Sequence, residues 1–469
     1  MSPYCQNNSN LRDPVRLMQI LYCGRIVEME EICFSTATQL IRAIHARELS
    51  SQDVVAAFQA RLESVNARLN AVTVTAEEAL EQARLADERQ AQGEQLGPLH
   101  GLPFTVKDTF ETADLQSRLE ARIRKRLVAR TDAAVVARMK QAGAILLAKT
   151  NCPPSGSGAD TENAIVGQTY NPHNASRSPG GSSGGEAALI AAGGSPLGLG
   201  SDTGGGLRVP AAFCGITALK PTQGRVPNSG VYNQPGGLTD QRTQIGPAAR
   251  RTEDLLLALR TISGPDYRDA GVVAKPIYDP EQLPLRDLTI ASFPYDPASL
   301  VTSAVANAVG ASGQALARAG VQVVENRPLD LVGGARDLDR GWRHMAGTRG
   351  QDVVELLHAW DQFRTNLLQF IRYYDAILCP VVHHTAPAIG TRDNQRFDYT
   401  VPFNLTGYPA AVVPVAADDQ GLPVAVQIVS HPWREDIVLA LAAVLEEEFQ
   451  DWQDASDGRA KPNGQPGVM

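Results

Sequence analysis

Residues 178–221 read SPGGSSGGEAALIAAGGSPLGLGSDTGGGLRVPAAFCGITALKP, and this stretch decides the fold. In its first part, residues 179–185, two serines stand among four glycines, a composition that is not typical of a helix or a strand. Glycine permits positive φ angles and close approach of the backbone to a ligand. We therefore expect a tight turn that presents Ser182 and Ser183, followed by a short buried helix over 186–192 whose N-terminus faces the turn.

A second glycine-rich segment, residues 200–206, reads GSDTGGG. We expect a loop here, and the successive N–H groups of such a loop can form an anion-binding nest. In an acyl-transfer enzyme that nest would be the oxyanion hole. A flexible Gly/Ser linker is the alternative. The apolar runs at 187–192 and 211–219 disfavour it, because linkers seldom alternate with core-like segments.

A third segment lies upstream, where residues 101–108 read GLPFTVKD. Residues 104–106 predict a buried strand that brings Lys107 to its end. Burial disfavours the charged form of a lysine and lowers its pKa, which is what a lysine base requires. The alternative is a salt bridge of Lys107 with Asp108 or another acid, and the spacing alone does not choose between the two.

In chain order, these three segments resemble the motifs of the amidase signature family of serine hydrolases, over roughly residues 35–450 with gaps. The resemblance implies an α/β fold, a single domain with a central mixed β-sheet covered by helices on both faces. It identifies Lys107 as the catalytic lysine and Ser182 as the bridging serine, which in the family follows a cis peptide bond. The family's nucleophile is the serine of an Asp-x-Gly-Gly-Ser-[Ile/Leu]-Arg segment, and in this sequence that position is Gly206.

The resemblance also assigns roles around the nucleophile position. Ser182 would relay a proton from the attacking hydroxyl to neutral Lys107, and the pair would later protonate the leaving amine. The family-like pocket is expected to be apolar and to take an uncharged aryl or alkyl amide, or a carbamate. Supporting positions are Ser183, Asp202 and Arg208. The tetrahedral oxyanion would be stabilised by backbone N–H groups, those of Thr203, Gly204, Gly205 and Gly206.

Glycine at position 206 removes the attacking hydroxyl, and loss of the nucleophile in a triad enzyme costs on the order of a millionfold in rate. We favour a hydrolase of C–N bonds in amides, or of carbamates (urethanes) or aryl esters, whose nucleophile has been substituted. The alternatives are a non-catalytic amide-binding protein and an amidotransferase-type subunit of a complex. A water molecule at Gly206 could be activated by Ser182 and Lys107. Ser183 could replace the nucleophile, although we expect it to orient rather than attack.

The composition is that of an ordinary globular enzyme, with 43% hydrophobic and 20% charged residues among 469. The net charge of −8 argues against general nucleic-acid binding, and the apolar run at 17–23 is too short to span a membrane. The six cysteines have no paired spacing, which favours reduced thiols in a cytoplasmic protein. We therefore expect no metal, no cofactor and no nucleic-acid or membrane partner, a small-molecule amide or carbamate ligand, and a homodimer.

The chain divides into three predicted parts: a disordered or non-native extension at 1–28, an amidase signature domain at 29–450, and a polar tail at 451–469. Residues 112–131 depart from the family and predict a basic amphipathic helix, which we interpret as a solvated face. An altered substrate entrance and a docking site for a partner are the alternatives.

Smaller signals complete the pattern. Thr36 and Gln39 have the spacing of a capping box, and a helix over 252–262 is predicted with a threonine cap at Thr252. The adjacent His383 and His384 are interpreted as surface or core histidines. The helical region 326–374 varies within the family, and we make no site prediction there.

Overall fold

An eleven-stranded mixed β-sheet forms the centre of the computed structural model, which describes residues 19–22, 25–113, 115–116, 129–232, 242–344 and 350–450. The strands in these residues are β1 (Gln19–Tyr22), β2 (Arg25–Glu28), β3 (Val72–Thr75), β4 (Pro103–Lys107), β5 (Ile145–Thr150), β6 (Glu162–Asn163), β7 (Gly167–Gln168), β8 (Leu197–Asp202), β9 (Thr217–Lys220), β10 (Gln244–Ala249), β11 (Thr289–Ser292), β12 (Gln322–Glu325), β13 (Ala376–Pro380), β14 (Ala410–Ala417) and β15 (Pro423–Ser430). The helices are α1 (Met29–Phe34), α2 (Ala37–His45), α3 (Ser51–Leu69), α4 (Ala79–Ala91), α5 (Ala134–Gln141), α6 (Gly184–Ala191), α7 (Arg208–Cys214), α8 (Thr252–Ile262), α9 (Ser303–Arg318), α10 (Leu331–His344), α11 (Gln351–Ile371), α12 (Val401–Leu405) and α13 (Glu435–Glu448).

The strand order in the sheet is β12-β11-β13-β15-β14-β9-β10-β8-β4-β5-β3. β4 runs parallel to β5 and β8, and β11 runs parallel to β12 and β13. The other neighbouring pairs are antiparallel. Two short pairs, β1 with β2 and β6 with β7, lie outside this sheet. The predicted α/β class with a central mixed sheet is confirmed.

Both faces of the sheet are covered at its centre. Successive side chains of a strand point to opposite faces, and every residue of β8, β10 and β15 is buried. The helices that supply the cover include α7 and α13, which both pack against β15, and α6, which packs against β4 and β8. The predicted cover of helices on both faces is therefore confirmed, and it explains why these strands lack a polar alternation.

The chain ends are described only in part. β1 and β2 pair as an antiparallel hairpin, with Gln19 opposite Glu28, inside the predicted N-terminal extension. The rest of that extension, the tail at 451–469 and residues 114 and 117–128 of the predicted basic helix lie outside the described residues. The described residues of that predicted helix, 112–113, 115–116 and 129–131, are not helical, so the prediction is wrong at both of its ends. The three-part division of the chain stays a prediction.

The N-termini of α2 and α8 show that the local sequence predicts one helix cap correctly and the other incorrectly. Thr36 and Gln39 form the predicted capping box of α2, with each side chain accepting the other's N–H at 3.0 Å. The predicted Thr252 cap is wrong, since Arg251 is the N-cap of α8 and Thr252 is its first residue. The Thr252 N–H donates instead to both carboxylate oxygens of Glu446 on α13, at 3.1 and 3.0 Å. A residue distant in sequence therefore supplies the cap.

The second glycine-rich segment differs from the predicted loop over 200–206. β8 extends to Asp202, so the loop begins only at Thr203. Glycine is tolerated in this central strand because a neighbouring side chain approaches its backbone closely. A Cβ at Gly198, for example, would lie 1.8 Å from Glu186 Oε1.

No helix in the described part of the chain has the length and apolar character needed to cross a membrane. Four cysteines of this part are buried free thiols: Cys33, Cys152, Cys214 and Cys379. Burial raises the pKa of each, to about 12 for Cys152, so these thiols stay protonated at neutral pH.

Candidate active site

Lys107 ends strand β4 and is fully buried. Its Nζ lies 2.6 Å from Ser182 Oγ, 2.8 Å from Ser201 Oγ and 3.3 Å from the carbonyl oxygen of Gly156. A neutral amine can accept the Ser182 proton and donate to the other two oxygens, which satisfies all three contacts. The sequence does not predict the contact between Lys107 and Ser201, because Ser201 lies in a segment that is expected to be a loop.

Burial lowers the pKa of Lys107 from 10.5 to about 8, and Cys152 and Asp202 only partly oppose this shift. The alternative ion pair between Lys107 and Asp108 does not form in this structure. Asp108 pairs instead with Lys149, whose Nζ lies 3.1 Å from Asp108 Oδ1. The hydrogen-bond partners of Lys107 are hydroxyl and carbonyl groups, which is the environment of a lysine base.

The glycine–serine turn places its two serines differently. Ser182 follows a cis peptide bond from Gly181, is 7% exposed and lines a cavity. Ser183 is fully buried, and its Oγ lies 3.4 Å from both the N and the O of Ser201. α6 begins at the next residue, Gly184. This geometry supports an orienting role for Ser183 beneath the turn, with Ser182 within reach of a ligand.

Asp202 and Arg208 form a buried ion pair that shapes the loop after β8. Arg208 Nε and Nη2 each lie 3.0 Å from one carboxylate oxygen of Asp202. The same carboxylate accepts the N–H groups of Gly205, Leu207 and Arg208, at 2.8, 3.4 and 3.2 Å. Burial alone would raise the pKa of Asp202, but Arg208, Lys220 and a hydrogen bond from Asn404 hold it at about 2, so the carboxylate stays charged. The pair therefore fixes the backbone of the loop.

Three of the four predicted oxyanion donors keep an unused N–H group. Within the described residues, the N–H groups of Thr203, Gly204 and Gly206 donate to no protein acceptor, and all three residues line the cavity. Gly205 drops out of the predicted set because its N–H donates to Asp202. Open N–H groups on a rigid loop are the arrangement that stabilises a developing oxyanion.

The nucleophile position lies against the serine turn. A Cβ built on Gly206 would lie 2.8 Å from Ser182 Oγ and 2.9 Å from the carbonyl oxygen of Ser201. The Gly206 carbonyl accepts the Ser183 N–H at 2.8 Å, which ties the two segments together. A side chain at position 206 would therefore contact the hydroxyl of the Ser182–Lys107 pair. Lys107 and Ser182 are therefore in hydrogen-bond contact beside position 206, where glycine has no hydroxyl.

A cavity of about 770 Å³ opens over these residues. The expectation of an apolar pocket is wrong, since the described lining contains four arginines and two aspartates: Arg242, Arg336, Arg340 and Arg343, with Asp339 and Asp393. Arg242 Nη1 and Arg343 Nε each lie 2.6 Å from Asp339. Three of the arginines follow an i, i+4, i+7 spacing on α10, which places them on one face of the helix. That spacing is the signal in region 326–374 that could have predicted them.

His383, His384 and Asp393 form the one group in the described residues with the spacing of metal ligands, each offering an atom within 4.8 Å of the others. His384 Nε2 already lies 2.8 Å from Asp393 Oδ2, and its Nδ1 contacts the carbonyl oxygen of Thr385. Arg396 Nε lies 3.6 Å from the same carboxylate and adds positive charge where a cation would bind. The hydrogen bonds and the arginine account for this cluster, and we assign no metal to it.

Comparison with known proteins finds relatives that match most of this chain, including the residues of the site. A family model described as Amidase matches residues 53–338 and 343–439. The chain is 31% identical over 480 aligned residues to a glutamyl-tRNA(Gln) amidotransferase subunit of Moorella thermoacetica, covering 90% of this chain and 98% of the relative. It is 32% identical over 457 residues to AtzE, a subunit of the 1-carboxybiuret hydrolase of Pseudomonas sp. (strain ADP), covering 87% and 97%. A solved structure of 6-aminohexanoate cyclic dimer hydrolase complexed with substrate superposes with a TM-score of 0.78 at 26% identity, covering 90% of this chain and 98% of that one.

Proposed function

Because this chain belongs to the amidase signature family of C–N hydrolases, we propose that its cavity binds an amide and that Lys107 and Ser182 supply the proton relay for its hydrolysis. The observation that carries the proposal is the 2.6 Å contact between Lys107 Nζ and Ser182 Oγ, directly beside Gly206. In the chain as it stands, hydrolysis through position 206 is disabled because glycine has no hydroxyl.

With serine at position 206, the reaction follows from these contacts. The new hydroxyl attacks the acyl carbon while its proton passes to Ser182, whose own proton passes to Lys107 Nζ. The open N–H groups of residues 203, 204 and 206 stabilise the oxyanion. The proton returns through the same pair to the leaving nitrogen, and water then hydrolyses the acyl group by the same relay.

We propose that the substrate is an amide that carries a carboxylate, in place of the uncharged substrate expected from an apolar pocket. Four arginines in the described lining support this class, since a guanidinium group matches a carboxylate with two parallel hydrogen bonds. Arg242 and Arg343 share the single carboxylate of Asp339, so the three side chains together keep a net positive charge beside the cavity. One relative is named for 1-carboxybiuret, a carboxylated compound, which agrees with this class. Carbamates react by the same relay and stay within the proposal.

The test is the Gly206→Ser variant, assayed beside the unmodified chain on 4-nitroacetanilide and on N-(4-nitrophenyl)succinamic acid. We expect the variant to release 4-nitroaniline at least a thousandfold faster than the unmodified chain, because loss of a triad nucleophile has an effect of that size or larger. We also expect the variant to prefer the succinamic acid. A folded variant that is inactive on both anilides would contradict the proposal.

Gly206→Ala is the matched control, because it adds the same Cβ without the hydroxyl. It is expected to stay inactive on both anilides. An aryl carbamate with the same leaving group then separates amidase from urethanase activity in the serine variant. Rapid anilide hydrolysis by the unmodified chain would show that position 206 is not the nucleophile position.

A second candidate function is that of an amidotransferase-type subunit. It is supported by the names of both relatives described above, which are called subunits. In that case the Gly206→Ser variant would need a partner protein before it hydrolysed an amide. Native mass spectrometry of the purified chain tests the assembly, and we predict a homodimer of twice the 50.2 kDa chain. A serine variant that is active by itself would argue against a required partner.

A further inference from the structure

We propose that Ser182 is itself a nucleophile in this chain and takes a small acyl group directly from an activated ester. The inference rests on the proposed function, because it uses the same lysine and the same oxyanion donors. It goes beyond that function in assigning the attacking oxygen to a residue that otherwise only passes a proton on.

The first support is the direct contact between Ser182 and its base. Lys107 Nζ lies 2.6 Å from Ser182 Oγ, and its other contacts, at 2.8 and 3.3 Å, are with a hydroxyl and a carbonyl oxygen. The carbonyl can only accept a hydrogen from Nζ, and the Ser201 hydroxyl can accept one as well, so the lone pair of the neutral amine is available to Ser182. When Lys107 is neutral, a serine hydrogen-bonded directly to it forms a Ser–Lys nucleophile and base.

The second support is access to the Ser182 hydroxyl. Ser182 and Gly206 both line the cavity. A Cβ at position 206 would lie only 2.8 Å from Ser182 Oγ, which is closer than an ordinary van der Waals contact. Any side chain at position 206 would therefore cover this hydroxyl, whereas glycine leaves that side open. Glycine at position 206 therefore leaves the Ser182 hydroxyl accessible from the cavity.

The third support is the position of the oxyanion donors. The Gly206 N–H donates to no protein acceptor within the described residues, and Gly206 lies against Ser182. Its carbonyl accepts the Ser183 N–H at 2.8 Å, which fixes the Gly206 peptide beside the serine turn. An acyl oxygen that enters the space at position 206 therefore meets a preorganised donor.

The acylation step balances without a further reactant. Ser182 Oγ forms a bond to the acyl carbon while its proton passes to Lys107 Nζ, and the bond to the aryl oxygen breaks. The products are acyl-Ser182, an aryloxide and a protonated Lys107, which returns its proton to solvent. In hydrolysis, water adds to the same carbon, its proton passes to Lys107, and Ser182 Oγ leaves and takes the proton back.

The space at position 206 limits the acyl group. Because Ser182 is 7% exposed, the acyl carbon has to enter the volume that a serine side chain at 206 would occupy. We expect acetyl and carbamoyl groups to enter this space more readily than longer acyl chains. We expect the reaction to be about a hundredfold or more slower than acylation of the Gly206→Ser variant, since a displacement of about 1 Å in the reacting atoms has an effect of that size.

The experiment is acetylation of the full unmodified chain by 4-nitrophenyl acetate, with acid quench and peptide mass spectrometry. The expected result is one acetyl group on Ser182 and a matching burst of 4-nitrophenolate, with 4-nitrophenyl hexanoate at least tenfold slower. Ser182→Ala and Lys107→Met should give neither the burst nor the label. Ser176→Ala, at an exposed serine outside the cavity lining, should behave as the unmodified chain. In Gly206→Ser the acetyl group should move to position 206.

Ser182→Cys shows whether a loss of labelling in Ser182→Ala reflects loss of the nucleophile or loss of the fold. A thiol at position 182 should take the acetyl group, and circular dichroism checks that each variant is folded. Acetyl groups found only on Ser183 or on surface lysines, or no label and no burst, would overturn the inference. So would Ser182 labelling that survives Lys107→Met. If the Gly206→Ser variant is active but the unmodified chain is not labelled, this inference is wrong and the proposed function stands. If the Gly206→Ser variant is inactive, the proposed function is contradicted.

Discussion

Glycine has different consequences at two neighbouring positions, 205 and 206, of the loop that follows β8. Gly205 has a φ of +128°, and a Cβ there would lie 2.3 Å from Thr400 Oγ1, so its backbone requires glycine. Gly206 is absent from the positive-φ residues of the described chain, and the nearest atom to its Cβ would be the rotatable Ser182 hydroxyl at 2.8 Å. The φ of Gly206 therefore permits a side chain, although the Ser201 carbonyl oxygen, 2.9 Å from that Cβ, has to shift as well as the Ser182 hydroxyl.

Alanine substitutions test this difference between the two glycines. Gly205→Ala should destabilise the fold by about 1–3 kcal/mol, because a non-glycine residue is strained at that φ. Gly206→Ala should cost less than Gly205→Ala, about 1 kcal/mol, since its φ is unstrained although the Ser182 hydroxyl and the Ser201 carbonyl oxygen both have to shift. The measurement is the urea midpoint of each variant against the unmodified chain. A larger loss for Gly206→Ala would show that position 206 is the more constrained of the two.

Lys107 should set the pH dependence of the Gly206→Ser variant. Only the neutral amine can accept a proton, and burial lowers the pKa of Lys107 to about 8. The kcat/KM on an anilide should therefore rise with pH through a midpoint near 8 and fall below it as the amine becomes charged. Lys107→Arg should be inactive throughout, because a guanidinium does not deprotonate. A midpoint near the ordinary lysine value of about 10.4 would contradict a buried base.

At the scale of elements, the sequence predicts those pieces whose pattern is local. An apolar run predicts β4 and places Lys107 at its end, and a glycine turn predicts α6. The sequence does not predict β10, because Pro247 argues against a central strand. In the structure, β10 pairs with β9 only through Ala248 and Ala249, so the missing N–H of Pro247 breaks no ladder on that side. That pairing depends on tertiary context.

The cap of α8 gives an element-scale prediction. Glu446 accepts the Thr252 N–H with both carboxylate oxygens, and burial raises its pKa to about 7. Because a raised carboxyl pKa means that ionisation lowers the stability of the fold, Glu446→Ala should be most destabilising at pH 5, by about 1–2 kcal/mol, the usual effect of losing a helix cap, and less so at pH 8. The exposed neighbour Glu447 is the matched control, and Glu447→Ala should change the urea midpoint little. Equal losses for both variants would show that the cap contributes nothing specific.

At the scale of the whole molecule, the site joins distant parts of the chain. The relay residues Lys107 and Ser182 could be predicted from motifs, because the resemblance fixes both positions. The arginine spacing on α10 shows from sequence alone that one helix face is charged. It does not show that this face meets Arg242 across a cavity, since that meeting depends on how the chain packs. The charge of the cavity lining therefore required the structure.

The final prediction concerns ligand binding and the stability of the whole chain. If hydrolysis runs through position 206 as proposed, glycine there prevents it, and an amide with a carboxylate should bind and stay intact. A ligand that binds only the folded state adds about 2.7 kcal/mol of stability at a hundredfold excess over Kd. N-(4-nitrophenyl)succinamic acid should therefore raise the Tm of the unmodified chain with increasing concentration, and 4-nitroacetanilide should raise it less.

Two arginine variants identify the source of this ligand stabilisation. Arg343 on α10 lines the cavity and Arg318 on α9 does not, although their side chains are similarly exposed, at 64% and 59%, and each pairs with an acid. Arg343→Gln should reduce the Tm shift with the succinamic acid, because the carboxylate loses a guanidinium partner. Arg318→Gln should keep the full shift. If the neutral anilide stabilises the chain as strongly as the acid, or if both variants respond alike, the cavity arginines do not select an anionic amide.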